Sequence, residues 1–177
     1  MQNKLSDTYT PAEDTFFLAE CVAKERGESA LEIGTGSGYL AGILQKNFDF
    51  VVATDVDFGA LRGQAAKVHN KICCDGANAL GKKFDLIVCN LPYLPSEKII
   101  DKTTDGGPEG LLVPLDIIES ASHCIKPGGK MLFLTSSLAN YQKLVEKVQS
   151  LGFSATITAK KKLFFEELII IEAKLLS

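Results

Sequence analysis

A chain of 177 residues with 46% hydrophobic and 23% charged residues is long enough to bury roughly two thirds of its unfolded surface, and it reads as one domain over 1–177. That composition excludes a disordered chain, and a formal charge of −3 supplies no global field to attract a polyanion, which disfavours nucleic acid as a partner. The opening Met1-Gln2-Asn3-Lys4-Leu5-Ser6 lacks the apolar core of a signal peptide, and no run approaches about 18 uncharged apolar residues, so a cytoplasmic protein without membrane contact is expected. The five cysteines are scattered, odd in number and without C-x-x-C spacing. They read as small buried hydrophobes, and no metal site is expected.

Helix and strand signals alternate from residue 12 to the end, which implies a mostly parallel sheet covered on both faces. Pro11 opens an amphipathic helix with Phe16, Phe17, Ala19 and Val22 or Ala23 near one stripe. Residues 29–33 form a first strand ending in a glycine-rich turn, and 39–46 the helix after it. A second strand over 49–54 has the continuous Phe-Val-Val-Ala core expected of burial on both faces. Asp57 can cap a helix reaching about His69, and 71–74 is a short third strand.

A fourth strand over 84–89 is followed by a polar loop over 94–110, of a length that is usually functional in a compact domain. A helix over 112–125 stops at Lys126-Pro127-Gly128-Gly129, which turns the chain into a fifth strand over 130–135. After a helix over 138–150, two β-rich runs at 154–159 and 164–172 close the sheet as an antiparallel hairpin. The expected fold is therefore α/β: a Rossmann-like sheet of seven strands with helices on both faces. His69 and His123 fall in helices away from the motifs, and Lys160-Lys161-Lys162 reads as a solvated turn.

Asn90-Leu91-Pro92-Tyr93 directly follows the fourth strand. A carboxamide oxygen and the carbonyl before Pro92 can each accept one hydrogen of a planar NH2 group, while Tyr93 stacks on its conjugated plane. That pattern suits alkylation of an amide or exocyclic amine nitrogen. Upstream, Glu32-Ile33-Gly34-Thr35-Gly36-Ser37-Gly38 occupies a strand-to-helix turn, where Gly34, Gly36 and Gly38 let the backbone pass close to a ligand. A dinucleotide fingerprint would require a small residue where Tyr39 stands, and Glu32 would repel a pyrophosphate. Glu32 suits instead a cationic ligand such as the amino-acid end of S-adenosylmethionine. Asp55, ending the second strand, can accept from both hydroxyls of a ribose, and Asp75-Gly76 after the third strand can contact an adenine.

Taken in order, E-I-G-T-G-S-G, Asp55, Asp75 and N-L-P-Y resemble a class I S-adenosylmethionine-dependent methyltransferase of the amino-methylating type. Tyr9-Thr10-Pro11-Ala12-Glu13-Asp14-Thr15-Phe16 is similar to the Y-x-P-A-E-D-T-F opening of the HemK-related release-factor glutamine methyltransferases, in the short branch without an N-terminal helical domain. Asp105-Gly106-Gly107-Pro108-Glu109-Gly110-Leu111 matches the G-G-x-x-G segment of the same family. The resemblance implies S-adenosylmethionine as cofactor and S-adenosylhomocysteine as product. It implies that Thr15 reaches the cofactor from the N-terminal segment, that Glu32, Gly34 and Asp55 bind methionine and ribose, and that Asp75 and Gly76 bracket adenine. Asn90, Pro92 and Tyr93 are then catalytic, and the acceptor is the glutamine of a Gly-Gly-Gln loop in a peptide-chain release factor. It further implies a small zinc-binding activator subunit, placed here at the sheet edge near Ile72.

Leu91 departs from the family's usual proline and matches the ribosomal-RNA adenine dimethyltransferases, so an adenine N6-methyltransferase acting on RNA or DNA is the alternative. A non-catalytic cofactor-binding subunit is the third reading, disfavoured by intact Asn90, Pro92 and Tyr93.

Overall fold

A computed structural model describes residues 11–64 and 68–176. Tyr9 and Thr10 of the opening motif, and part of the helix expected to reach His69, lie outside the described residues. Helix α1 (Glu13–Val22) precedes β1 (Gly27–Ile33), α2 (Tyr39–Leu44), β2 (Phe48–Asp55), α3 (Phe58–Gly63), β3 (Asn70–Cys73) and β4 (Phe84–Asn90). Two short strands, β5 (Leu94–Pro95) and β6 (Asp105–Gly107), and a 3-10 turn over Pro108–Gly110 then lead to α4 (Leu112–Ser122). The chain closes with β7 (Ile125–Ser136), α5 (Tyr141–Ser150), β8 (Phe153–Lys162) and β9 (Glu167–Leu175).

The main sheet has seven strands in the order β3-β2-β1-β4-β7-β9-β8. Neighbours from β3 to β7 run parallel, and β9 pairs antiparallel with both β7 and β8. Strand order reverses between β1 and β4, which opens a crevice at the carboxyl ends of those two strands. Successive side chains of the central strands enter two different apolar layers. Leu31, Ile87, Cys89 and Phe133 meet Ile118 of α4 and Leu144 and Val148 of α5 on one face. Ala30, Val88, Leu132 and Leu134 meet Leu18 and Val22 of α1 and Leu40 and Leu44 of α2 on the other. Burial on both faces explains why these strands read as unbroken apolar runs.

The structure amends several expectations. Phe16 leaves the buried stripe of α1; it is 44% exposed, and its ring edge meets Tyr39 with centroids 5.5 Å apart, while Leu18 takes the buried place. The fifth strand begins at Ile125, and Lys126-Pro127-Gly128-Gly129 forms a bulge within it. The register slips there because Pro127 has no N–H to give, and a side chain at 129 would press on the Asp85 carbonyl at 2.9 Å. The polar loop over 94–110 contains the two-stranded β5–β6 sheet. Lys160-Lys161-Lys162 ends strand β8, Phe164 and Phe165 belong to the β8–β9 turn, and His69 lies in a bend just before β3. Asp57 caps α3 as expected, its Oδ1 accepting from the Gly59 N–H at 2.7 Å.

The segment over 105–110 lies directly on the chain after β4, and its glycines permit that approach. A Cβ at Gly106 would stand 2.6 Å from the Pro92 carbonyl oxygen, and one at Gly110 would stand 2.1 Å from that of Tyr93. Gly110 also has φ +67°, and Glu109 beside it holds φ 56° without being glycine. The strained Glu109 is fixed by Lys143 Nζ at 2.7 Å and by the Asn140 N–H, which donates to its carbonyl at 3.0 Å. Gly110→Ala should therefore cost about 2–4 kcal/mol, seen as a lower urea midpoint with unchanged slope. A loss under about 0.5 kcal/mol would show that the backbone contact yields freely.

Candidate active site

At the switch point the crevice widens into a cavity of about 560 Å³, within the range of about 300–1,000 Å³ usual for small-molecule sites. Thr15, Glu32, Gly34, Gly36, Asp55, Asp75, Gly76, Asn90 and Pro92 line it, so nine positions singled out in the sequence converge on one space. Gly38 and Tyr93 do not line it. Gly38 stands behind the turn as the residue preceding α2, with φ +76°, and a Cβ there would press on Gln64 at 3.0 Å. Tyr93 lies half-buried beyond Pro92, against the α1–α2 apolar layer.

The glycine turn is built from its carboxylates. Glu32, 2% exposed, accepts through Oε2 from the Thr35 hydroxyl and from the Ala41 N–H, both at 2.7 Å, and so ties β1 to the start of α2. Burial pushes its carboxyl up to about 8, against the opposing pull of those two bonds. Asp55 accepts from the Gly36 N–H at 2.7 Å and the Asp57 N–H at 2.8 Å, one per oxygen, so each oxygen retains further acceptor capacity, and the residue lines the cavity. Gly76 favours glycine: φ is +55° and a Cβ would sit 2.4 Å from the Ser120 hydroxyl. That hydroxyl accepts from the Ala77 N–H at 3.0 Å and anchors the turn after β3 on α4.

At the far end of the cavity Asn90 is held from one side. Its Nδ2 donates to Asp14 Oδ2 at 3.2 Å, which orients the carboxamide, and Asp14 also accepts from the Thr15 N–H at 2.5 Å. Its Oδ1 is buried and has no hydrogen-bond donor among the described residues. A buried acceptor left so costs about 1–3 kcal/mol, a cost that a ligand N–H would remove. Leu91 is 2% exposed, packs into the α4–α5 layer and does not line the cavity. Its N–H donates to the Leu134 carbonyl at 3.1 Å, fixing the motif to β7.

Sequence reasoning missed Asp14 as a partner of Asn90, although it stands in the quoted opening motif, because contact across 76 residues leaves no local signal. It also missed the wall formed by Val113, Asp116 and Ile117 from α4 and by Ile99, Lys102 and Thr103 from the loop. Among the lining residues Glu32, Asp55, Asp57, Asp75 and Asp116 face a single lysine, Lys102. Such a lining favours a cationic ligand and opposes a phosphate-bearing one. Among the described residues no group of three or more metal-ligating side chains exists, and no helix is long and apolar enough to cross a membrane.

A Methanocaldococcus jannaschii protein that carries the name of a protein N5-glutamine methyltransferase is 32% identical over 180 residues, which span 94% of this chain and 91% of that protein. Human "Methyltransferase HEMK2" is 25% identical, with 94% of this chain and 89% of the relative covered. The Schizosaccharomyces pombe "eRF1 methyltransferase catalytic subunit mtq2" is 24% identical, with coverages of 95% and 89%. Among solved structures, a chain of the "E. cuniculi Mtq2-Trm112 complex", described as responsible for methylation of the eRF1 translation termination factor, superposes with a TM-score of 0.82 at 23% identity, over 95% of this chain and 98% of that one. The model of the methyltransferase small domain matches residues 12–164, and the chain belongs to that family of methyltransferases.

Proposed function

We propose that the chain transfers a methyl group from S-adenosylmethionine to the side-chain amide nitrogen of glutamine in the Gly-Gly-Gln loop of a peptide-chain release factor, leaving S-adenosylhomocysteine. The observation that carries this reading is Asn90 Oδ1, buried at the cavity end, with its carboxamide oriented by Asp14 and with no donor for the oxygen among the described residues. The names of the relatives supply the acceptor, since release-factor and protein-glutamine methyltransferases recur among them.

The cofactor brings a methyl carbon already activated by its sulfonium. The chain's work is to align the acceptor nitrogen at a near-attack distance of about 3–3.5 Å. Asn90 Oδ1 accepts one amide hydrogen and the Leu91 carbonyl the other, pushing electron density onto a nitrogen whose lone pair is delocalised. Tyr93, from its place beyond the cavity, holds the amide plane. The extra proton on the methylated nitrogen leaves to water, so no general base is assigned. On the cofactor side, Glu32 and Gly34 face the methionine end, Asp55 the ribose, Asp75 and Gly76 the adenine, and Thr15 closes the site from α1. Gly36 and Gly38 shape the turn.

The adenine alternative drew its support from Leu91. That side chain is buried in the core and cannot read the acceptor. We read the chain as one cytoplasmic methyltransferase domain that pairs with a small zinc-binding activator at the outer edge of β3, which bonds only to β2 in the sheet. A monodisperse isolated chain with full turnover that Ile72→Lys leaves unchanged would reject that pairing.

Purified chain, with its activator and labelled cofactor, should label a Gly-Gly-Gln release factor and spare one carrying Gly-Gly-Glu; labelling of adenine alone would overturn the assignment. Asn90→Ala should lower kcat by about 10²–10³-fold with cofactor affinity nearly unchanged, and Asp14→Ala should do the same to a lesser degree. Unchanged turnover in either variant removes that residue from the role given.

Glu32 sets a pH dependence. With its folded carboxyl at about 8 against 4.5 when unperturbed, it is mostly protonated at neutral pH, and its contribution to stability is full below about 4.5 and lost as pH rises toward about 8. A cationic ligand favours the carboxylate, so cofactor binding should release a proton and tighten from about pH 6 to 8. Calorimetry in buffers of different ionisation enthalpy measures this, and Glu32→Gln should abolish the buffer dependence. A dependence that survives the substitution would place the proton elsewhere.

A further inference from the structure

The β8–β9 turn carries two aromatic side chains that nothing in the fold uses. Phe164 is 92% and Phe165 85% exposed, among the most exposed large apolar residues described. Their rings meet edge to face, with centroids 4.6 Å apart and planes at 79°, so they form one wedge. The turn beneath is closed by hydrogen bonds. The Leu163 N–H donates to the Glu166 carbonyl at 2.8 Å, and Glu167 and Ser137 exchange two bonds, both at 2.9 Å. An aromatic pair held in water by a closed turn costs stability without adding to the core, which is the mark of a binding anchor.

Its place in the fold ties it to the site mouth. β9 starts opposite the end of β7, with Leu168 paired to Ser136, so the turn projects past the same sheet edge on which Asn90 lies, one strand away from Leu134. From Tyr93, contact runs through Gly110 and Glu109 to the Asn140 N–H, then along residues 137–140 to the turn. Leu163 packs on the same apolar layer as Tyr93. Leu138, in the segment between β7 and α5, is a further exposed apolar side chain at 43%.

Charge narrows the occupant. Lys160 is paired with Glu167 at 2.8 Å, whereas Lys161 and Lys162 form no ion pair among the described residues. Residues 160–167 carry three lysines against Glu166 and Glu167, which leaves a net positive margin beside the wedge in a chain of net charge −3. We propose that the wedge is the docking element for the intact acceptor protein, seating an apolar patch bordered by carboxylates while the glutamine loop enters the cavity. Perpendicular rings offer no parallel faces for successive bases, which argues against a single nucleic-acid strand. A second copy of this chain would set the same lysines against each other across a symmetric interface.

The inference rests on the release-factor reading, and the test separates the two. Phe164→Ser/Phe165→Ser and, separately, Lys161→Glu/Lys162→Glu are compared with wild type on intact release factor and on a short Gly-Gly-Gln peptide. The expected result is a KM for the intact factor raised about tenfold or more, with its kcat, the peptide's kcat/KM and cofactor affinity unchanged. An unchanged KM for the factor overturns the inference while leaving the release-factor reading intact, and so does an equal loss on factor and peptide. Loss of RNA binding or of self-association in the variants, with factor KM unmoved, overturns it in favour of those occupants. A wild-type enzyme that ignores the release factor fails before any variant is compared, and both readings fall together.

Discussion

Everything at this site depends on a carboxamide tethered from one side only. Asn90 ends the central parallel strand, and its Nδ2 is taken by Asp14 while its Oδ1 is buried without a donor among the described residues. A free amide would rotate and satisfy itself with whichever donor came near. Here α1 supplies the clamp, and β7 fixes the following residue through the bond from the Leu91 N–H to the Leu134 carbonyl. The glycines at 106 and 110 then let a second stretch of backbone press against the Pro92 and Tyr93 carbonyls and hold the motif from above. Preorganisation of this kind lets binding energy go into transition-state geometry, because the acceptor positions are set before the acceptor arrives.

The cavity shows a similar division of labour among its acids. Glu32 and Asp55 are at once structural struts and ligand-facing groups, since each already accepts two protein hydrogen bonds that shape the glycine turn. Glu32 is buried deeply enough that desolvation raises its carboxyl to about 8, against the opposing pull of its Thr35 and Ala41 bonds. Asp75, at the rim, is exposed and carries no such load.

Around the mouth, surfaces are arranged by which sheet edge they leave open. The short β3 edge and the β8–β9 turn lie at opposite ends of the sheet order. The strained Glu109, held by Asn140 and Lys143, joins the β8–β9 side of the sheet to the chain after β4 by packed, hydrogen-bonded backbone.

The amino-acid sequence by itself determined the strand and helix order, because periodicity and turn residues are local properties: the unbroken apolar runs of β2 and β4, the Asp57 cap and the glycine turn all signal through neighbouring residues. It also pointed to nine of the residues that line the cavity, since in a doubly wound sheet residues at strand ends meet at the switch point. Tertiary structure decided what depends on distant approach. The pairing of Asp14 with Asn90, the burial of Leu91 away from the acceptor, the raised carboxyl of Glu32 and the exposure of Phe164 and Phe165 each arise from elements far apart in the chain. Burial and orientation are properties of the assembled neighbourhood, and no window of sequence contains them.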